Sequence, residues 1–317
     1  MLPTAILVGA LMTTTEGAAQ SHPAPTAQPR TVYCGTDSIL RGGGMINDGW
    51  DGPGQNATTL FWHIENYSPD LPVTQQRNAI EDALLTWAGV VQIHFIEIAS
   101  PNRNRSIDLR FTTGDHCAIE NAECGDPDCA FNGTGGVLAH AGFPPGGNSL
   151  CGGVLTESFA GNVHFDEAET WEADDFFSAR MSLALITAHE VGHSLGLLHD
   201  LDTNALHIMR PTFSGSDGLQ APSASDIAHL RSGYAAGVGS ITRLEDSGIW
   251  TNSAWQGFEA GLPGEPFNTL TEAVNALPPE IDGMTIHVVG GLYPENLTIS
   301  EPCTITAEIS TAFIGTP

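Results

Sequence analysis

The residues best equipped for chemistry lie together in His189-Glu190-Val191-Gly192-His193-Ser194-Leu195-Gly196-Leu197-Leu198-His199. An α-helix turns about 100° per residue, so side chains four apart fall within roughly 40° of one another on one face. His189 and His193 have that spacing, and two imidazoles one turn apart can both reach a single Zn²⁺ at about 2.0–2.1 Å. A continuing helix would carry His199 away from that face. Gly196 offers the exit, because glycine tolerates the left-handed conformation that ends a helix and reverses the chain. His199 can then return as the third ligand, which leaves a fourth position for water. Glu190 sits beside the metal face and is not needed as a ligand. Its carboxylate is therefore free to take a proton from a water that the cation has acidified. With this composition the full pattern arises by chance about once in 10,000 chains, so three histidines merely satisfied in a core are the weaker account. Gly192-His193-Ser194-Leu195-Gly196 also reads as the G-x-S-x-G elbow of serine hydrolases. That elbow needs a strand before the serine, and Met181 to Val191 has helical character.

The elements that must position these groups can be read on either side. A strand is expected over Thr59 to Ile64, then a helix on whose apolar face Ile80, Ala83, Leu84 and Trp87 recur. Val91 to Ile98 and Ile107 to Phe111 read as strands. Asp115 to Gly161 is long, Gly-rich and holds four of the six cysteines. A loop of that length needs metals or disulfides to pin it. The histidine helix is expected over about Phe177 to Leu195, and a third over about Ser223 to Tyr234 opens with Ser223 and Asp226 in capping-box spacing. Beyond Val238 the pattern turns to short β-type runs, Thr285 to Val289 and Leu297 to Ile305.

Composition narrows the class. Asp and Glu number 37 against 10 Arg and no Lys, a formal charge of −27. A nucleic-acid binder needs a basic face to displace counterions from phosphates, and this chain has none to offer. The apolar run Leu2 to Met12, followed by Gly17-Ala18-Ala19, reads as a signal peptide over residues 1–19. It is too short to span a bilayer. Export permits disulfides, consistent with an even number of cysteines. The expected organisation is a Pro/Gly-rich N-terminal segment over 20–58, a main domain over 59–237 and a β-rich region over 238–317. The expected protein is secreted, extracellular and monomeric.

Four further segments carry a resemblance. Ala205-Leu206-His207-Ile208-Met209-Arg210-Pro211 places a methionine ten residues after the third histidine, which resembles the Met-turn of metzincin zinc peptidases. Val137-Leu138-Ala139-His140-Ala141 and His164-Phe165-Asp166-Glu167-Ala168-Glu169-Thr170-Trp171 are similar to the LAHA and HFDxxExW segments of matrixins, the matrix metalloproteinase family. Residues 60–72 resemble that family's first catalytic strand. The resemblance implies an α+β fold of metzincin type, with a twisted, mostly parallel sheet, three helices and a short, mainly β C-terminal region. It implies a zinc endopeptidase acting on protein or peptide substrates, with Met209 supporting the catalytic histidines. His116, His140, His164 and Asp126 (alternatively Asp128) would hold a structural zinc, and an insertion bounded by Cys117 and Cys124 separates the two halves of the usual ligand stretch. Asn132, Asp166 and Glu169 would hold Ca²⁺, with Asn132 standing where the family has an aspartate. Leu185 would shape an apolar pocket for the side chain after the cleaved bond, and Arg210 occupies a position that is usually aromatic.

Pro29 to Asp37, which includes Cys34, resembles the cysteine switch of matrixin pro-segments, and a disulfide from Cys34 to Cys303 is the competing reading. Pro266 to Val274 and Leu292 to Ile299 resemble the opening of a parallel β-helix, a fold that often contacts polysaccharide. The alternative from another class is a non-catalytic adhesion protein that uses the zinc domain as a scaffold. An intact Glu190 favours the enzyme, because a scaffold has no need of a base.

Overall fold

In the computed structural model the described residues are 32–34, 43–46, 48–101, 104–114, 116, 130–145, 160–173, 181–201, 207–213, 217–244, 248–257, 259–277, 283–300 and 302–315. The leader at 1–19, Asp126, Asp128 and the Cys117–Cys124 segment lie outside them, as does the side chain of Cys34.

In chain order the first elements are β1 (Val32–Cys34), β2 (Thr58–Ile64), α1 (Val73–Ala88), β3 (Ile93–Glu97) and β4 (Ser106–Thr112). They are followed by β5 (Val137–Ala141), β6 (Val163–Asp166), β7 (Trp171–Glu172), β8 (Met181–Ser182) and α2 (Leu183–Ser194). Then come β9 (Thr212–Phe213), α3 (Ala224–Gly233), β10 (Ser240–Thr242) and β11 (Gly248–Thr251). The last are α4 (Leu270–Asn275), β12 (Met284–Tyr293) and β13 (Cys303–Ile314).

The main sheet runs β10-β3-β2-β4-β6-β5-β1-β9 and is mostly parallel. β5 is antiparallel to β6, and β9 is antiparallel to β1. Helices α1 and α2 pack together over one core, in which Trp62, Trp87, Phe95, Phe165, Leu183 and Val191 are fully buried. Each such aliphatic or aromatic side chain contributes on the order of 1.5–3 kcal/mol. Trp87 Nε1 donates to the Ala188 carbonyl at 2.8 Å, fixing α1 against the turn just before His189.

Helix α2 starts later than its sequence suggests. Met181–Ser182 pairs with Trp171–Glu172 as a short ladder, and the Ser182 hydroxyl accepts from Leu185 N, which caps the helix there. Helix α3 begins where expected, with both bonds of the Ser223/Asp226 capping box present.

Past residue 238 the chain still serves the main sheet. β10 pairs with β3, Gly239 N donates to the Ala88 carbonyl at 2.7 Å, and Ala260 and Leu262 join the main core. Arg243 bonds to the buried Glu81 carboxylate, and the neighbouring Glu97 takes both Arg77 and Leu244 N. The three-stranded parallel sheet β11-β12-β13 covers a separate cluster of Ile249, Phe267, Leu270, Ile286, Val288 and Tyr293. The last strand lies later than the apolar run at 297–305 suggests, over 303–314. Pro302, which has no N–H to give a ladder, stands just before it.

Candidate metal centre

Helix α2 delivers His189 and His193 on one face, and the chain leaves it at Gly196, whose φ is +102°. Leu197 N turns back to the Gly192 carbonyl at 2.9 Å, and the chain brings His199 round to the same point. The three Nε2 atoms form a near-equilateral triangle: His189 to His199 is 3.0 Å, and His193 lies 3.1 Å from each. All three residues are at most 1 % exposed.

The protonation pattern follows from the outer nitrogens. His189 Nδ1 lies 2.7 Å from the Ile208 carbonyl, and His193 Nδ1 lies 2.7 Å from the Leu197 carbonyl. A carbonyl can only accept, so each Nδ1 carries the proton and each Nε2 presents a lone pair inward. Burial, reinforced by the neighbouring imidazoles, pushes both rings well below the usual histidine pKa. Converging lone pairs repel unless a cation lies among them. Tetrahedral ligands at about 2.0–2.1 Å from Zn²⁺ stand about 3.3 Å apart, close to the spacing here. The residues fit the metal.

Glu190 is 1 % exposed and directly follows His189 in the helix. Met209 is 1 % exposed and packs against Gly192, between the two helical histidines, where any side chain would overlap its sulfur. Two rings that sequence reasoning missed wall the triad: Phe213 meets His189 edge-on at 4.8 Å, and Phe143 meets His193 at 5.6 Å. The aromatic residues around Pro144 and Pro211 were the available signal. Leu185 is buried in the first turn of α2. Arg210 pairs with Asp217 at 2.7 Å and lies 5.3 Å over the Phe213 ring.

A second imidazole cluster unites His116, His140 and His164, all buried. His116 Nδ1 faces the Gly114 carbonyl at 2.8 Å, which turns its Nε2 toward His140 Nε2 at 2.7 Å. Two ring nitrogens that close also call for a cation or a shared proton. Desolvation by burial is the main reason that the His140 ring lies well below its ordinary pKa.

Asn132 belongs to the Gly-rich loop that Glu169 and Ala168 hold. Glu169 Oε1 accepts from Gly135 N, Thr134 Oγ1 donates to the Ala168 carbonyl at 2.7 Å, and Asp166 Oδ1 accepts from Ala168 N at 2.8 Å. Asp166 Oδ2 is buried with no hydrogen-bond partner among the described residues, and desolvation raises this carboxyl above its usual range. A buried, unpaired carboxylate oxygen suits a hard cation.

β1, which carries Cys34, lies between the two walls beside the triad. Tyr33 is opposite Val137 and Cys34 opposite Ala139 in parallel β5, while Val32 and Tyr33 face Phe213 and Thr212 in antiparallel β9. Cys303 is a free thiol at the start of β13.

A helix-borne histidine pair, a glutamate beside the first, a third histidine after a glycine turn and a methionine beneath define a zinc peptidase site of the metzincin class. The matrixin family model matches residues 54–235, and the chain belongs to that family. It is 39% identical over 158 residues to matrix metalloproteinase-18 of Xenopus laevis, covering 50% of this chain and 28% of that protein. Karilysin of Tannerella forsythia is 35% identical over 162 residues, 50% of this chain and 29% of that protein. Interstitial collagenase of Equus caballus is 33% identical over 207 residues, 65% of this chain and 37% of that protein. The chain thus spans about a third of the length of these curated relatives.

Proposed function

We infer that this chain is a secreted zinc-dependent endopeptidase that hydrolyses peptide bonds of extracellular proteins, with Glu190 as the general base. The observation that carries the reading is the buried triangle of Nε2 atoms at 3.0–3.1 Å, with Glu190 next to its first member. Zinc held there supplies a Lewis acid that polarises the scissile carbonyl and brings the pKa of water toward neutrality. The Ile208 and Leu197 carbonyls fix the tautomers of His189 and His193, so that neither ring has to reorganise. The Glu190 carboxylate takes a proton from water and passes it to the leaving amine. Phe213 and Phe143 exclude solvent from the two helical histidines. Leu185 lends an apolar surface to the side chain after the cleaved bond.

An extended substrate would bind as an added strand along β5, by β-augmentation. β1 already occupies that edge, so it must leave before substrate enters, which supports a latent form with Cys34 as its switch. A structural zinc on the second histidine cluster and Ca²⁺ at Asp166, Glu169 and Asn132 belong to the same reading. So do a monomeric state and polysaccharide contact through the parallel β11-β12-β13 unit. No described helix is long and apolar enough to cross a membrane.

The test is cleavage of a quenched hydrophobic peptide with and without chelator, after thiol modification to release β1. Chelator should abolish cleavage. Glu190→Gln should lower the rate by about 10²–10⁴-fold while zinc stays bound. Cleavage indifferent to both would sink the reading.

A further inference from the structure

The third ligand is the one that the helix does not hold. His199 lies beyond the Gly196 turn, and its position depends on whatever braces residues 196–199. The structure assigns that task to a segment far away in sequence. Ile46 N donates to the Gly196 carbonyl at 2.7 Å, Leu198 N to the Gly44 carbonyl at 2.9 Å, and Gly43 N to the His199 carbonyl at 2.9 Å. Met45 and Leu197 form the antiparallel bridge between them.

The segment is itself anchored to α3. Gly44 N donates to His229 Nδ1 at 3.2 Å, and a side chain on Gly43 would come within 3.0 Å of the His229 ring. The Met45 methyl reaches both Gly196 and Gly233, lying 3.3 Å and 2.7 Å from where a β-carbon would stand on each. Gly43 has φ +68° and Gly44 φ +118°, so the path needs residues without a β-carbon. Gly42-Gly43-Gly44-Met45 is the sequence signature, and no other part of the reaction site uses it.

We propose that Gly43–Ile46 is a positioning strap that clamps the Gly196–His199 turn and so controls how tightly the chain keeps its catalytic zinc. The inference rests on the zinc site proposed above. It has a corollary for processing. The strap lies C-terminal to β1, so a cut between residues 34 and 43 removes the strand from the cleft and leaves the clamp intact. A cut after residue 46 removes both.

The experiment uses the full chain and follows zinc transfer to a colorimetric chelator. The phase belonging to this site is identified by its absence from His199→Ala. In G43V/G44V, where β-branched side chains meet left-handed backbone, that phase should be about tenfold faster, the change expected when one or two net hydrogen bonds are lost. The phase from the second histidine cluster should not move, which separates the strap from general destabilisation. Met45→Ser keeps the backbone path and removes the packing on Gly196 and Gly233. It should give a smaller acceleration, and it decides the matter if the valine variant fails to fold. Zinc loss within twofold of the parent in the folded variants overturns the strap and leaves the site standing. A parent with no releasable zinc in this phase overturns the site and the strap with it.

Discussion

Gly192 lies one residue before His193, the second histidine of the triad, with the Met209 sulfur filling the space a side chain would need. A β-carbon there would overlap that sulfur and stand 3.1 Å from the Met209 methyl and 3.2 Å from Trp87 Cζ2. On helix propensity alone, Gly192→Ala should stabilise α2 by about 0.8–1 kcal/mol. Against this stands overpacking of a closed core, which costs about 1–3 kcal/mol. The thioether is flexible, but Met209 is 1 % exposed and Trp87 0 % exposed, so it has little room to yield. The expected net result is a loss of about 1 kcal/mol, read as a lower urea midpoint at unchanged slope. Met209→Ala in the same background opens the space. The double variant should therefore be more stable than the sum of the single effects by at least about 1 kcal/mol. If Gly192→Ala raises stability by its helix-propensity gain, or if the two changes are additive, Met209 does not press on the helix between the ligands and its supporting role fails.

Three other outcomes follow from the same structure. His94 is 1 % exposed, and burial lowers its pKa from 6.5 to about 4. Between those values the unfolded chain binds the extra proton, so stability falls as pH drops from about 6.5 to about 4, by on the order of 3 kcal/mol at the lower end. Urea titrations of the parent and His94→Leu at pH 7 and 4.5 should differ in acid sensitivity, and equal sensitivity refutes the assignment. The formal charge of −27 implies self-repulsion that salt screens as the Debye length shrinks from about 10 Å at 0.1 M to 3 Å at 1 M. The melting temperature should rise over that range of NaCl, and a fall would contradict it. The buried Tyr234 hydroxyl accepts from Trp50 N at 3.3 Å and donates to the Leu195 carbonyl at 2.9 Å. Tyr234→Phe should cost about 1–3 kcal/mol by thermal denaturation, and a change within 0.5 kcal/mol would show that water replaces both bonds.

The sequence by itself determined the chemistry of the centre. The four-residue spacing of His189 and His193 is a property of helical geometry, and Gly196 marks the exit because few other residues tolerate its backbone. The apolar period of α1 and the Ser223/Asp226 cap were legible for the same reason: each is a local rule written in neighbouring residues. What only tertiary structure decided is the company these elements keep. β1 lies between β5 and β9, β10 extends the main sheet, and Gly43–Ile46 braces the His199 turn, all through backbone N–H and C=O groups. Those groups are the same in every residue except proline, so a sequence does not say which distant partner they will meet. The carbonyls of Ile208 and Leu197, which set the histidine tautomers, are invisible in the one-letter code for that same reason.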